Sequence, residues 1–84
     1  MKKSLNLRMD IVQTILITCM NEVSTKDLVA KITETFSLPE KELKRYLFYL
    51  TSNKFLSYDG KRQVLITENM GYDFSNVINI VKIM

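Results

Sequence analysis

The sequence contains no histidine. That excludes zinc sites of the Cys/His kind and the Ser-His-Asp and Cys-His arrangements of nucleophilic catalysis. There is one cysteine, Cys19, inside an apolar stretch. No disulfide framework can form, and a cytoplasmic compartment fits. Cys19 shares a stripe with Ile15 and Leu16 and reads as an inert core thiol, since a redox sensor would want exposure and a nearby cation. Only two glycines and one proline punctuate the chain, so it is expected to be built mainly of helices. Tyrosine apart, no uninterrupted apolar run exceeds three residues, against the roughly 20 that a membrane-spanning helix needs. Lys2 and Lys3 precede an apolar region, as in a signal peptide. However, Asp10, Gln13, Thr14 and Thr18 interrupt that region, and no small-residue cleavage pattern follows.

What is present is apolar and mildly basic. Of 84 residues, 46% are hydrophobic, which excludes a disordered chain. The length suits a single domain, residues 1–84, with room for one small-molecule pocket at most and none identifiable. Twelve basic and nine acidic residues give a net charge of +3. This bias is compatible with nucleic acid without demanding it. No carboxylate pair sits in a pocket-forming motif and no nucleophile–base arrangement can be assembled, so the chain is not expected to be an enzyme. No metal or cofactor is implied.

The first amphipathic segment covers residues 8–20, with Ile11, Val12, Ile15, Leu16 and Cys19 on one stripe. A second helix starts after Ser24, whose hydroxyl and Asp27 form a weak capping box, and ends near Thr35. A third is expected to be capped by Ser37, with Pro39 in the first turn and Glu40 behind it, and to run to about Asn53. Leu43, Leu47 and Leu50 form its inner face, and Lys41, Lys44, Arg45, Phe48 and Ser52 its outer face. Residues 55–58 and 61–67 flank Asp59 and Gly60, a strong signal for a two-residue type I′ hairpin. Residues 73–84 suit a helix through the spacing of Phe74, Val77, Val81 and Met84, although their Val and Ile content also suits a strand. Breadth of apolar character there favours burial from two sides, hence a homodimer.

Three helices with a tight link between the second and third, followed by a two-stranded hairpin, define the fold class expected: a mainly α winged helix-turn-helix. In such a unit the third helix suits the major groove and the hairpin reaches the neighbouring backbone. The stretch LPEKELKRYLFYLTSNKFLSYDGKRQVLITENMGYDF also resembles the small archaeal winged-helix regulators and chromatin proteins of the ten-kilodalton type. The likeness rests on Leu43, Tyr46, Leu47 and Leu50, then Phe55 and Leu56, Asp59 and Gly60, Ile66, Thr67 and Glu68, and Gly71. It covers roughly residues 8 to 75. Three departures stand out. The family has glycine where this chain has Lys54, so the left-handed helix end is expected to move to Asn53. The Thr-Glu-Lys-Gly pattern carries one extra residue. The final helix is shorter than the family's dimerising one.

The expected partner is therefore double-stranded DNA, and the expected role transcriptional regulation. Lys41, Lys44 and Arg45 would supply groove and phosphate contacts, and Lys61 and Arg62 the wing contacts. Lys26, Lys31 and Phe48 are further candidates. Phe48 would either touch a thymine methyl or sugar, or pack under the wing or at a dimer contact. Phe74, Val77, Val81 and Met84 would carry dimerisation. Two other readings stay open: a winged-helix protein-interaction module in a larger assembly, and a chromatin protein without sequence preference.

Overall fold

Ile11, Val12, Ile15, Leu16 and Cys19 are all fully buried, and their spacing is why the first helix forms. In the computed structural model, which describes residues 7–69 together with Gly71 and Asp73, this helix is α1, Met9–Thr18. Its C-terminal turn closes with the Cys19 amide on the Ile15 carbonyl at 3.0 Å. A two-residue strand β1, Val23–Ser24, leads into α2, Thr25–Phe36, and then α3, Glu40–Ser52. Strands β2, Leu56–Asp59, and β3, Val64–Thr67, complete the order. The described residues are thus mainly helical, with the three helices α1–α3 and a three-stranded antiparallel sheet of order β1-β3-β2.

The third strand corrects the expected two-stranded hairpin. Val23 pairs with Leu65 and Ser24 with Val64. Two residues carry no periodicity, so the sequence offers no strand signal there. Ser24 then changes role within one residue. Its hydroxyl accepts from the Asp27 amide at 3.1 Å, capping α2 as expected.

Ser37 does not cap α3. It terminates α2 in the left-handed region, at φ 51°, and the next amide, that of Leu38, donates to the Thr33 carbonyl at 3.1 Å. This is a Schellman-type ending, and it commits Ser37 to the preceding helix. Pro39 occupies the N-cap of α3 with no side-chain bond. Its carbonyl receives the amides of Glu42 and Leu43, both at 3.0 Å.

The end of α3 brings the next correction. Asn53 keeps φ at −93°, and Lys54 itself takes the left-handed position, φ 64°. The Lys54 amide donates to Thr51 at 3.1 Å and the Phe55 amide to Leu50 at 2.9 Å. That pattern is a full Schellman motif, and it fixes the residue at Lys54 whatever its side chain.

The hairpin turn is not type I′. Asp59 pairs with Val64, leaving a four-residue loop, 60–63. The Asp59 carboxylate accepts from the Lys61 amide at 3.0 Å and lies 3.4 Å from that of Arg62. An aspartate that captures amides ahead of it favours this wider turn, and Gln63 supplies the positive φ of 54°. Gly60 is not at positive φ.

The core sits between the three helices and one face of the sheet. Leu28 and Ile32 come from α2, Leu43, Tyr46 and Leu50 from α3, and Leu56 and Leu65 from the hairpin. Thr67 locks β3 to α1: its amide donates to the Cys19 carbonyl at 2.9 Å and its buried hydroxyl to Leu16 at 2.6 Å. Beyond it, the Glu68 amide donates to the Phe55 carbonyl at 2.9 Å, and the chain passes so close to Phe55 at Gly71 that a Cβ there would lie 2.3 Å from that oxygen. Phe74, Val77, Val81 and Met84 lie outside the described residues, as does all of the expected tail helix beyond Asp73.

Candidate nucleic-acid interface

Helix α3 turns its leucines inward because Leu43, Tyr46 and Leu50 recur at three and four residues. Lys41, Lys44, Arg45 and Phe48 therefore project together on the opposite side. At about 100° per residue they fall within an arc of about 100°. All four are exposed. Phe48 is 74% exposed, more than any other large apolar residue described. It does not pack under the hairpin.

Two of the three cations have acids beside them on the same helix. Lys44 Nζ is 4.0 Å from Glu40 and Arg45 is 3.9 Å from Glu42, with both pairs well exposed. At such distances and exposure each pair contributes little and opens at small cost. Lys41 makes no ion pair among the described residues.

Lys61 and Arg62 lie in the hairpin loop itself, not on the outgoing strand. The loop is anchored on α2: the Gln63 carbonyl accepts from the Thr25 amide at 2.9 Å and its hydroxyl at 3.0 Å. Lys61 is exposed, whereas Arg62 forms an ion pair with Glu22, in the link before β1. Sequence spacing gave no sign of that partner, 40 residues away.

Lys26 and Lys31 are both exposed on α2 but stand about 140° apart around it. Lys26 follows Thr25, at the hairpin end of the helix. Lys31 points elsewhere and joins no common patch with Lys26. Arg8 is engaged at the start of α1. Arg8 is clasped to Asp10 at 2.6 Å and its guanidinium lies 5.7 Å from the centre of the Phe36 ring. The hydrogen bond between them holds the Asp10 carboxyl below its ordinary value and raises Arg8. The Arg8 amide donates to the Tyr46 hydroxyl at 3.1 Å, which makes this cluster a clasp for the start of α1.

From the sequence, Tyr58 could stack on bases or, as the favoured reading, pack around the small sheet. It pairs with Leu65 and so shares the core-facing side of the hairpin with Leu56. Yet it remains 51% exposed, beyond the reach of the core. It lines a groove of about 250 Å³ with Thr25, Leu47, Phe48, Thr51 and Leu65. The alternation of β2 was the available signal, once the strand's partner was known.

Burial pushes the Cys19 thiol up to about 12, in keeping with an inert core cysteine. Among the described residues no three of His, Cys, Asp and Glu gather as a metal site. Nor is any described helix long and apolar enough to cross a membrane. What these observations define, among the described residues, is a mainly helical fold with a small sheet and a basic-aromatic helix face. No family model, no curated protein and no solved structure matches the chain.

Proposed function

We propose that this protein is a winged-helix protein that binds duplex DNA and regulates transcription. In this reading α3 enters the major groove and the hairpin loop lies on the sugar–phosphate backbone. The carrying observation is the exposed stripe of Lys41, Lys44, Arg45 and Phe48 on α3. A helix fits a groove about 12 Å wide, and cations beside it neutralise phosphates. Lys61 supports the same reading from the hairpin loop. Arg62 joins it when duplex phosphate replaces Glu22 as its partner. Pairing of two copies through Phe74, Val77, Val81 and Met84 rests on the sequence pattern and would place two recognition helices about 34 Å apart on one duplex face.

Fluorescence anisotropy of a labelled mixed-sequence duplex at about 50 and about 200 mM salt tests the proposal. Five phosphate contacts would lower affinity by about 500-fold over that interval. Replacing Lys61 and Arg62 by Ala should weaken all duplexes alike and flatten the salt slope by up to about two units. A second reading, a protein-interaction module, draws on Glu40 and Glu42 beside the cations of α3. Absence of duplex binding even at the lower salt would favour it.

A further inference from the structure

Phe48 stands out as an exposed aromatic with no packing role. It is 74% exposed on a regular helix, where phenylalanine is a poorer helix former than alanine. Neither the core nor the helix accounts for it. Its neighbours on the helix surface are Lys41, Lys44 and Arg45. Across the groove stands Tyr58, half exposed, held by its pairing with Leu65.

Resting on the DNA-binding reading above, we propose that Phe48, backed by Tyr58, reads thymine 5-methyl groups in the major groove. Three observations select this occupant. The groove, about 250 Å³, is smaller than the roughly 300–1,000 Å³ of small-molecule sites. An amphipathic helix would need a row of apolar anchors at i, i+3 or i+4, and i+7. Along α3 the outer positions around Phe48 are Lys41, Lys44, Arg45 and Ser52 instead. Those cations complement a phosphate-lined groove, in which the thymine methyl is the one apolar group on the base-pair edges. The duplex keeps its bases stacked, so a ring presented from mid-helix meets that methyl and not a base face.

The test compares one duplex containing thymine with the same duplex containing deoxyuridine, which removes only the methyls. Each methyl buried on Phe48 should be worth about fourfold in affinity. The wild-type chain should therefore bind the thymine duplex at least about fourfold more tightly. Phe48→Ala should bind both duplexes equally, near the wild-type affinity for the deoxyuridine duplex, with the salt slope unchanged. Its exposure makes the variant safe for folding, and Phe48→Leu should restore part of the preference. The double variant Lys61→Ala/Arg62→Ala should keep the full preference while losing overall affinity. Equal binding of the two duplexes by the wild type overturns the proposal, as does a preference that survives in Phe48→Ala. In both cases salt-dependent duplex binding would leave the broader DNA reading standing. If neither duplex binds at low salt, both readings are overturned and attention turns to an acidic protein partner.

Discussion

Ser37, Lys54 and Gln63 hold positive φ, while neither Gly60 nor Gly71 does. Gly71 supplies space, and residues with side chains bear the left-handed strain. Lys54 bears it at the end of α3, where the Schellman bonds fix its backbone. A left-handed residue with a Cβ costs about 1–2 kcal/mol, against about 0.5–1 kcal/mol for the extra freedom of an unfolded glycine. Lys54→Gly should therefore stabilise the fold by about 0.5–1 kcal/mol. Gly71 presents the opposite case. Alanine there would drive its Cβ to 2.3 Å from the Phe55 carbonyl oxygen and 2.7 Å from Thr67. Backbone cannot yield as a side chain does, so Gly71→Ala should cost about 2–3 kcal/mol. Urea midpoints of the two variants check both signs at once. A gain for alanine at 71 would show that the chain after β3 repacks freely.

At the scale of elements, the helices were legible and their ends were not. Ile11, Val12, Ile15 and Leu16 repeat with the helical period, and that period follows from burial on one side. The same logic exposed Lys41, Lys44, Arg45 and Phe48 as one face. Ends depend on which of two competing bonds a short polar side chain makes. Ser37 can cap the helix after it or end the helix before it, and only the geometry of the Thr33 carbonyl decides. Asp59 and Gly60 suit a two-residue turn until the carboxylate engages the amides of the loop. The pairing of Arg62 with Glu22 and the place of Tyr58 need the sheet register, which local spacing does not carry. Within α3, Glu40 and Glu42 serve the element against its proposed ligand. Acids in the first turn interact favourably with the helix dipole, by about 0.3–1 kcal/mol each, at an N-terminus whose proline cap makes no side-chain bond. Near phosphate they repel. Replacing both by Gln should therefore lower stability modestly and raise duplex affinity by about twofold to fivefold per carboxylate at low salt. Thermal melting and anisotropy on the same protein would read the two effects, and affinity that falls instead would count against groove entry by this face.

At the scale of the molecule, two long-range hydrogen bonds tie the sheet to α1 near Cys19. Thr67 joins β3 to the carbonyls of Leu16 and Cys19, while Cys19 itself is fully buried among the core side chains of α1. Exposing the thiol thus requires α1 to part from the sheet, which removes a large share of the core at once. Because burial raises the folded thiol to about 12 from an ordinary value near 9, the neutral thiol is the form the fold retains. Sign follows from linkage. Stability from this group is fully present below pH 9 and declines as pH rises from there toward about 12, since the unfolded chain loses its proton first. The slope reaches at most about 1.4 kcal/mol per pH unit. Native protein at pH 8 should react with a thiol reagent only as fast as it opens, and the rate should rise with urea in step with global unfolding. Cys19→Ala should remove this thiol's share of the alkaline loss. Rapid labelling in water, unaffected by low urea, would mean that α1 opens by itself, and that the bonds from Thr67 do not hold the molecule as one cooperative unit.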